Sequence, residues 1–257
     1  MGDPLIPRVG GVLSADIAVP EHERETRFYS RVLGTGADPL WREDLMNNRG
    51  TPVIGLGAQT EKSPHLPLQW MPHIQVADVA ASLARARALG GSALMYDDSG
   101  ESQWAVLVDP NGAAFGIIPL VSAEAIPRTE GAGRVGRIAW LDLTISNASA
   151  TRDFYRQVVG WTVKDVAMED AGERYADYSM LSDDGRSTAG VCHARGANLG
   201  IPPVWMLYLP VGDLAESIDR VHEEGGTVIR ESRGPDGEYA SAVIRDPVGA
   251  CPALVPG

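Results

Sequence analysis

Arg27-Phe28-Tyr29 followed by Leu33-Gly34 returns as Asp153-Phe154-Tyr155 followed by Val159-Gly160. Phe28 and Phe154 are 126 residues apart, and so are Gly34 and Gly160. Working outward, Ala77-Asp78 heads a helix-like stretch that ends in Leu89-Gly90-Gly91, and Gly212-Asp213 heads another that ends in Glu224-Gly225-Gly226. Asp109-Pro110-Asn111-Gly112-Ala113 returns as Asp246-Pro247-Val248-Gly249-Ala250. Self-similarity at a fixed offset decides the architecture before any local reading. It predicts two copies of one domain: residues 1–122, a Pro- and Gly-containing linker over 123–135, and residues 136–257.

Bulk properties narrow the function. The 257 residues suit two domains, each able to bury a core. A net charge of −12 argues against nucleic acid and anionic membrane surfaces, whose phosphates need Lys and Arg. No run of about 18 apolar residues is present to span a bilayer. Met1-Gly2-Asp3-Pro4 does not begin an export signal, and Cys192 and Cys251 are the two cysteines. Reduced thiols in the cytoplasm are the expectation.

The elements follow from periodicity. Leu13–Val19 alternates as a strand, and Glu21–Leu33 is an amphipathic helix with Phe28, Val32 and Leu33 on one face. Strands are expected near 52–56, 73–76, 93–96, 104–108 and 115–118, with a helix after the capping residue Asp78. The second half repeats the order. It has strands near 139–145, 161–166, 176–181, 188–192, 205–209, 227–231 and 240–244, and helices over 149–159 and after Asp213. Each half contains the β-α-β-β-β order twice, which makes four modules.

This order resembles the vicinal oxygen chelate superfamily, which includes glyoxalases, extradiol dioxygenases and bleomycin-resistance proteins. The Phe-Tyr…Gly helices, the Asp-headed helices ending in Gly-Gly and the Asp-Pro-x-Gly turns carry the resemblance. It implies an α+β fold of tandem glyoxalase-like domains, each of two βαβββ modules forming an open cup of mixed strands around a small-molecule site. Metal-dependent members draw ligands from four strand positions. The first lies seven residues before the helix start, and here holds Ser14, Met71, Trp140 or Met206. The last follows the Asp-Pro-x-Gly turn, and here holds Gly116 or Ala253; the remaining position falls near Gly55-Leu56 and Gly190-Val191. A slip of a residue or two would bring in Cys192 or His193, but one donor does not make a site. No resident metal or other cofactor is expected.

Alternation puts further side chains on the face that the resemblance assigns to the cup. These are Ser14 and Asp16 with Met71 and His73 in the first half, and Trp140, Asp142 and Thr144 with Met206 and Tyr208 in the second. Trp140 offers a stacking wall. Asp142 and His73 are candidate acid–base groups, and each is also readable as a satisfied core residue. Trp70 and Trp205 match between the halves and read as packing residues on the opposite face. Cys192 and His193 are strand neighbours and point to opposite faces, so they make a poor nucleophile–base couple.

The expected function is metal-free binding of a bulky, hydrophobic or aromatic natural product, or acid–base chemistry on it, by a monomer or homodimer. A metal-dependent lyase or dioxygenase and a ligand-free scaffold are the alternatives.

Overall fold

The computed structural model describes residues 7–41, 53–61, 66–99, 103–122 and 136–257. The linker over 123–135, His65 and part of the stretch before Gly57 lie outside the described residues. The first half holds β1 (Val12–Val19), α1 (His22–Leu33), β2 (Ile54–Ala58), β3 (Met71–Gln75), α2 (Val79–Ala88), β4 (Ser92–Asp97), β5 (Trp104–Val108) and β6 (Ala114–Ile118). The second holds β7 (Trp140–Ile145), α3 (Ala148–Val159), β8 (Thr162–Asp170), β9 (Glu173–Leu181), β10 (Ser187–His193), β11 (Trp205–Val211), α4 (Leu214–Glu223), β12 (Thr227–Arg233), β13 (Tyr239–Arg245) and β14 (Ala253–Pro256). Strands β1–β6 belong to one sheet and β7–β14 to a second. The fold is α+β with tandem glyoxalase-like domains. No helix among the described residues is long and apolar enough to cross a membrane.

Each module whose strands are all described obeys one rule. Its first strand pairs in parallel with its last, and the strands between are antiparallel: β3 with β6, β7 with β10 and β11 with β14 are parallel, while β4–β5–β6 and β8–β9–β10 form meanders. A parallel return needs a crossover, which the helix supplies. Asp78 and Asp213 cap α2 and α4 as their positions imply, accepting the N–H of Ala81 at 2.8 Å and of Glu216 at 2.9 Å. Strand β14 departs from the sequence expectation, because Pro252 and Pro256 mark its short span as a breaker. Strands β8 and β9 run longer than alternation suggests. They meet in a two-residue turn in which Ala171 and Gly172 both take positive φ, 50° and 82°.

Packing divides the chain differently from the repeat. The first compact unit holds described residues 7–13, 71–122 and 141–205, and the second holds 14–61 with 66–70, 136–140 and 206–257. Each unit therefore takes one module from each half of the sequence. In the first unit α2 lies against α3, and Phe115, Phe154, Tyr155, Trp161 and Trp205 form an aromatic cluster. In the second α1 lies against α4, with Arg27 and Arg31 of α1 paired to Glu224.

A buried three-residue chain recurs at the centre of each unit. In the first unit Trp205 Nε1 donates to the Tyr155 hydroxyl at 2.9 Å, which donates to Asp109 Oδ2 at 3.3 Å. In the second Trp70 Nε1 donates to the Tyr29 hydroxyl at 3.0 Å, which donates to Asp246 Oδ2 at 2.8 Å. The other carboxylate oxygen holds the Asp-Pro-x-Gly turn: Asp109 accepts from Asn111 and Ala113, and Asp246 from Val248, Gly249 and Ala250. Burial pushes both tyrosines well above the ordinary phenol range, and the facing carboxylates push further. Tyr155→Phe strands a buried indole N–H and a buried carboxylate oxygen. It is expected to cost about 1–3 kcal/mol in urea unfolding.

At one buried position the two copies differ in polarity. Thr151 in the first unit accepts from Asn111 Nδ2 at 2.9 Å. Its repeat equivalent, 126 residues earlier, is Glu25. Glu25 is fully buried, and its carboxyl oxygens lack a well-aligned hydrogen-bond partner among the described residues. Burial, then the Asp246 charge, raises its carboxyl to about 8. A carboxyl raised in the folded state stabilises fully below its unfolded value and loses that contribution as pH climbs through the folded value. Wild-type stability should therefore fall between about pH 4.5 and about pH 8 relative to Glu25→Gln. Parallel pH-dependent melting curves for the two proteins would refute this assignment.

Candidate functional site

The parallel pairing of first and last strands sets up one recurrent juxtaposition. Asp16 on β1 is in register with Gly55, His73 on β3 with Gly116, Asp142 on β7 with Gly190, and Tyr208 on β11 with Ala253. In every module a large or polar side chain stands opposite a residue with at most a methyl group. The glycines are needed: a Cβ at Gly55 would collide with the Asp16 carboxylate, one at Gly190 with that of Asp142, and one at Gly116 would lie 2.7 Å from His73 Cδ2. These side chains lie over bare backbone.

The nine sequence-predicted residues divide between the units. The first unit holds Met71 and His73 on β3, and Asp142 and Thr144 on β7; the second holds Ser14, Asp16, Trp140, Met206 and Tyr208. Ser14, Met71, Thr144 and Met206 are buried. Asp16 is exposed, and His73, Trp140, Asp142 and Tyr208 are half-buried. In the second unit the backbone N–H of Ala139 donates to the Tyr208 carbonyl at 2.8 Å, which brings Trp140 beside β11.

In the first unit Asp142 meets a residue of the neighbouring strand, with Cys192 Sγ 4.0 Å from its Oδ1. Burial pushes the Cys192 thiol far up, and the Asp142 and Asp177 charges add to it. That thiol is not a nucleophile at neutral pH. One pair escaped the sequence reading. Asp177 Oδ1 accepts from His193 Nδ1 at 2.9 Å and from the His193 backbone N–H at 2.8 Å. The partners are 16 residues apart across the β9–β10 hairpin. Only the hairpin register could have signalled the pair. His22 at the start of α1 bonds the Leu56 carbonyl through Nε2 at 3.1 Å.

Comparison with known proteins agrees with this geometry. The glyoxalase-like domain family matches residues 14–118, and the glyoxalase/bleomycin resistance protein/dioxygenase superfamily matches residues 137–250. The chain belongs to the vicinal oxygen chelate superfamily. CFP32 of Mycobacterium bovis, a protein with a provisional glyoxylase name, is 31% identical over 122 residues, 47% of this chain and 46% of that one. The anthracycline biosynthesis protein DnrV of Streptomyces peucetius is 30% identical over 131 residues, 46% of each chain. The matched stretch spans about half the length of these curated relatives. The 2,2',3-trihydroxybiphenyl 1,2-dioxygenase of Sphingomonas wittichii superposes with a TM-score of 0.54 at 15% identity, over 98% of this chain and 91% of that one. A variant of homoprotocatechuate 2,3-dioxygenase from B. fuscum gives 0.59 at 14%, over 98% and 72%. These two likenesses show the fold alone.

The superfamily's metal-ligand positions can be tested against this donor set. Ser14, Met71, Trp140 and Met206 head the first strands, and Gly55, Gly116, Gly190 and Ala253 stand on the last. Neither set supplies the His or carboxylate donors that Mn, Fe, Ni or Zn require. Among the described residues no three His, Cys, Asp or Glu side chains are grouped to hold a metal ion. The residues present do not fit a chelated metal of this superfamily's kind. The same face does make Cys192 a reporter. At pH 8 its alkylation by iodoacetamide, read by peptide mass spectrometry, should be more than about tenfold slower than that of a free thiol. Asp142→Asn should recover only part of the difference, because burial is the larger cause.

Proposed function

We propose that this protein binds a flat, hydrophobic aromatic natural product without a resident metal, or moves a proton on it. It would act in the cytoplasm as a monomer or homodimer. One observation carries the reading. The superfamily's ligand positions hold neither His nor carboxylate, and Trp140 at one of them is half-buried, as are Tyr208, Asp142 and His73 on the same strands. Small-molecule sites are mostly apolar with a few aimed polar groups, and this mixture has that character. In the second unit Trp140 and Tyr208 would stack on a ligand, with Asp16 engaging its polar edge; in the first unit Asp142 or His73 would engage a ligand's polar edge. The buried Ser14 and Met206 would shape the second site and Met71 and Thr144 the first. The relationship to DnrV, named for anthracycline biosynthesis, favours a polycyclic hydroxylated aromatic as the ligand class.

The test is a titration of tryptophan fluorescence with hydroxyanthraquinones and related polyketide aglycones, alongside thermal melting. Saturable quenching is expected, with stabilisation of about 2.7 kcal/mol at one hundred times Kd. Trp140→Ala should weaken binding about fivefold, the equivalent of about 1 kcal/mol of aromatic pairing beyond area burial. An absence of saturable binding across the panel would leave a scaffold as the better reading. Stoichiometric Mn, Fe, Ni or Zn lost on mutating these residues would return the protein to metal-dependent chemistry.

A further inference from the structure

The Asp177–His193 pair of the first unit is built for proton transfer. Asp177 is 4% exposed and places one carboxylate oxygen on both the ring Nδ1 and the backbone N–H of His193. The bond from Nδ1 leaves the proton on that nitrogen, so Nε2 carries the lone pair. The side chain of His193 is 22% exposed. Tyr175 and Tyr178 flank the ring, their centroids 5.5 and 5.9 Å away. Tyr178 is held from the far side, its hydroxyl 2.7 Å from Ser149 Oγ and its ring under the Arg152 guanidinium at 4.4 Å. The Arg195 guanidinium lies 4.5 Å over the Tyr175 ring.

The charges around the imidazole resolve in one direction. Arg195 is paired with Asp170 and Glu173, and Arg152 with Asp153. Cys192 next along β10 holds its proton, since burial pushes its thiol up. Asp177 is thus the charge in direct contact with the ring. A buried carboxylate that fixes a partly exposed imidazole is a part a general base needs.

We propose that His193 is a proton-accepting residue for a phenolic or enolisable hydroxyl of an aromatic ligand, and that Asp177 is its positioning residue. This rests on the small-molecule reading above but moves the base from Asp142 or His73 to His193. In the step, the ligand O–H bond breaks and a bond from that proton to Nε2 forms. The oxygen keeps the electron pair. The imidazolium charge is held by Asp177.

Two measurements test it. Nitrogen-15 NMR of histidine-labelled protein should show His193 with its proton on Nδ1 at pH 7.5, and diethyl pyrocarbonate should modify its Nε2. A proton on Nε2, or an unreactive His193, overturns the proposal. The second uses 1,4-dihydroxyanthraquinone, whose absorption moves to the red when it loses a phenolic proton. The bound dye should ionise at least about tenfold more readily than the free dye. His193→Gln should abolish that gain while retaining binding, and Asp177→Asn should reduce it and disturb the tautomer signal. Binding with no change in ionisation, or an unchanged gain in His193→Gln, overturns the base assignment alone. No saturable binding of the dye overturns this proposal and the reading it rests on.

Discussion

The Trp–Tyr–Asp chain is the constraint on which the rest depends. Its tyrosine comes from a helix of one half of the sequence and its aspartate from a turn of the other: Tyr29 reaches Asp246, and Tyr155 reaches Asp109. A buried hydroxyl or carboxylate without a partner is costly, so each half needs the other to satisfy its own polar groups. That requirement explains why each compact unit takes one module from each half. The aspartate also organises the turn that returns the chain to the last strand of its module. One carboxylate serves both tertiary assembly and local turn geometry.

The turn then determines what stands on the last strand. Once β6, β10 and β14 run parallel to the first strands, their residues fall opposite His73, Asp142 and Tyr208. Glycine or alanine at those places leaves room for the facing side chain and removes the donors a chelated metal would use. The small residues and the large side chains facing them are one pattern seen from two sides.

The copies also diverge at buried polar positions. Thr151 is satisfied by Asn111, whereas Glu25 sits beside Asp246 at the equivalent place with no well-aligned partner among the described residues. The second unit thereby carries a buried acid at a place where the first has a threonine. The first unit carries the Asp177–His193 pair across a long hairpin.

Much of this was legible in the sequence. The repeat offset, the capping aspartates and the glycine-terminated helices are local signals, and local signals survive without knowledge of the partner strand. They determined the α+β class, the tandem domains and the residues facing along each first strand. Trp70 and Trp205 were legible as packing residues, but their bonds to Tyr29 and Tyr155 were not, because those depend on which helix each indole meets. Register was likewise beyond reach. A strand pattern says which residues share a face but not which residue stands across the ladder. The tertiary structure alone decided that Asp142 faces Gly190 and Cys192, that Asp177 grips His193, and that Glu25 is sealed beside Asp246. Each of these is a long-range contact whose energy comes from burial and pairing, and neither quantity is written in any single stretch of chain.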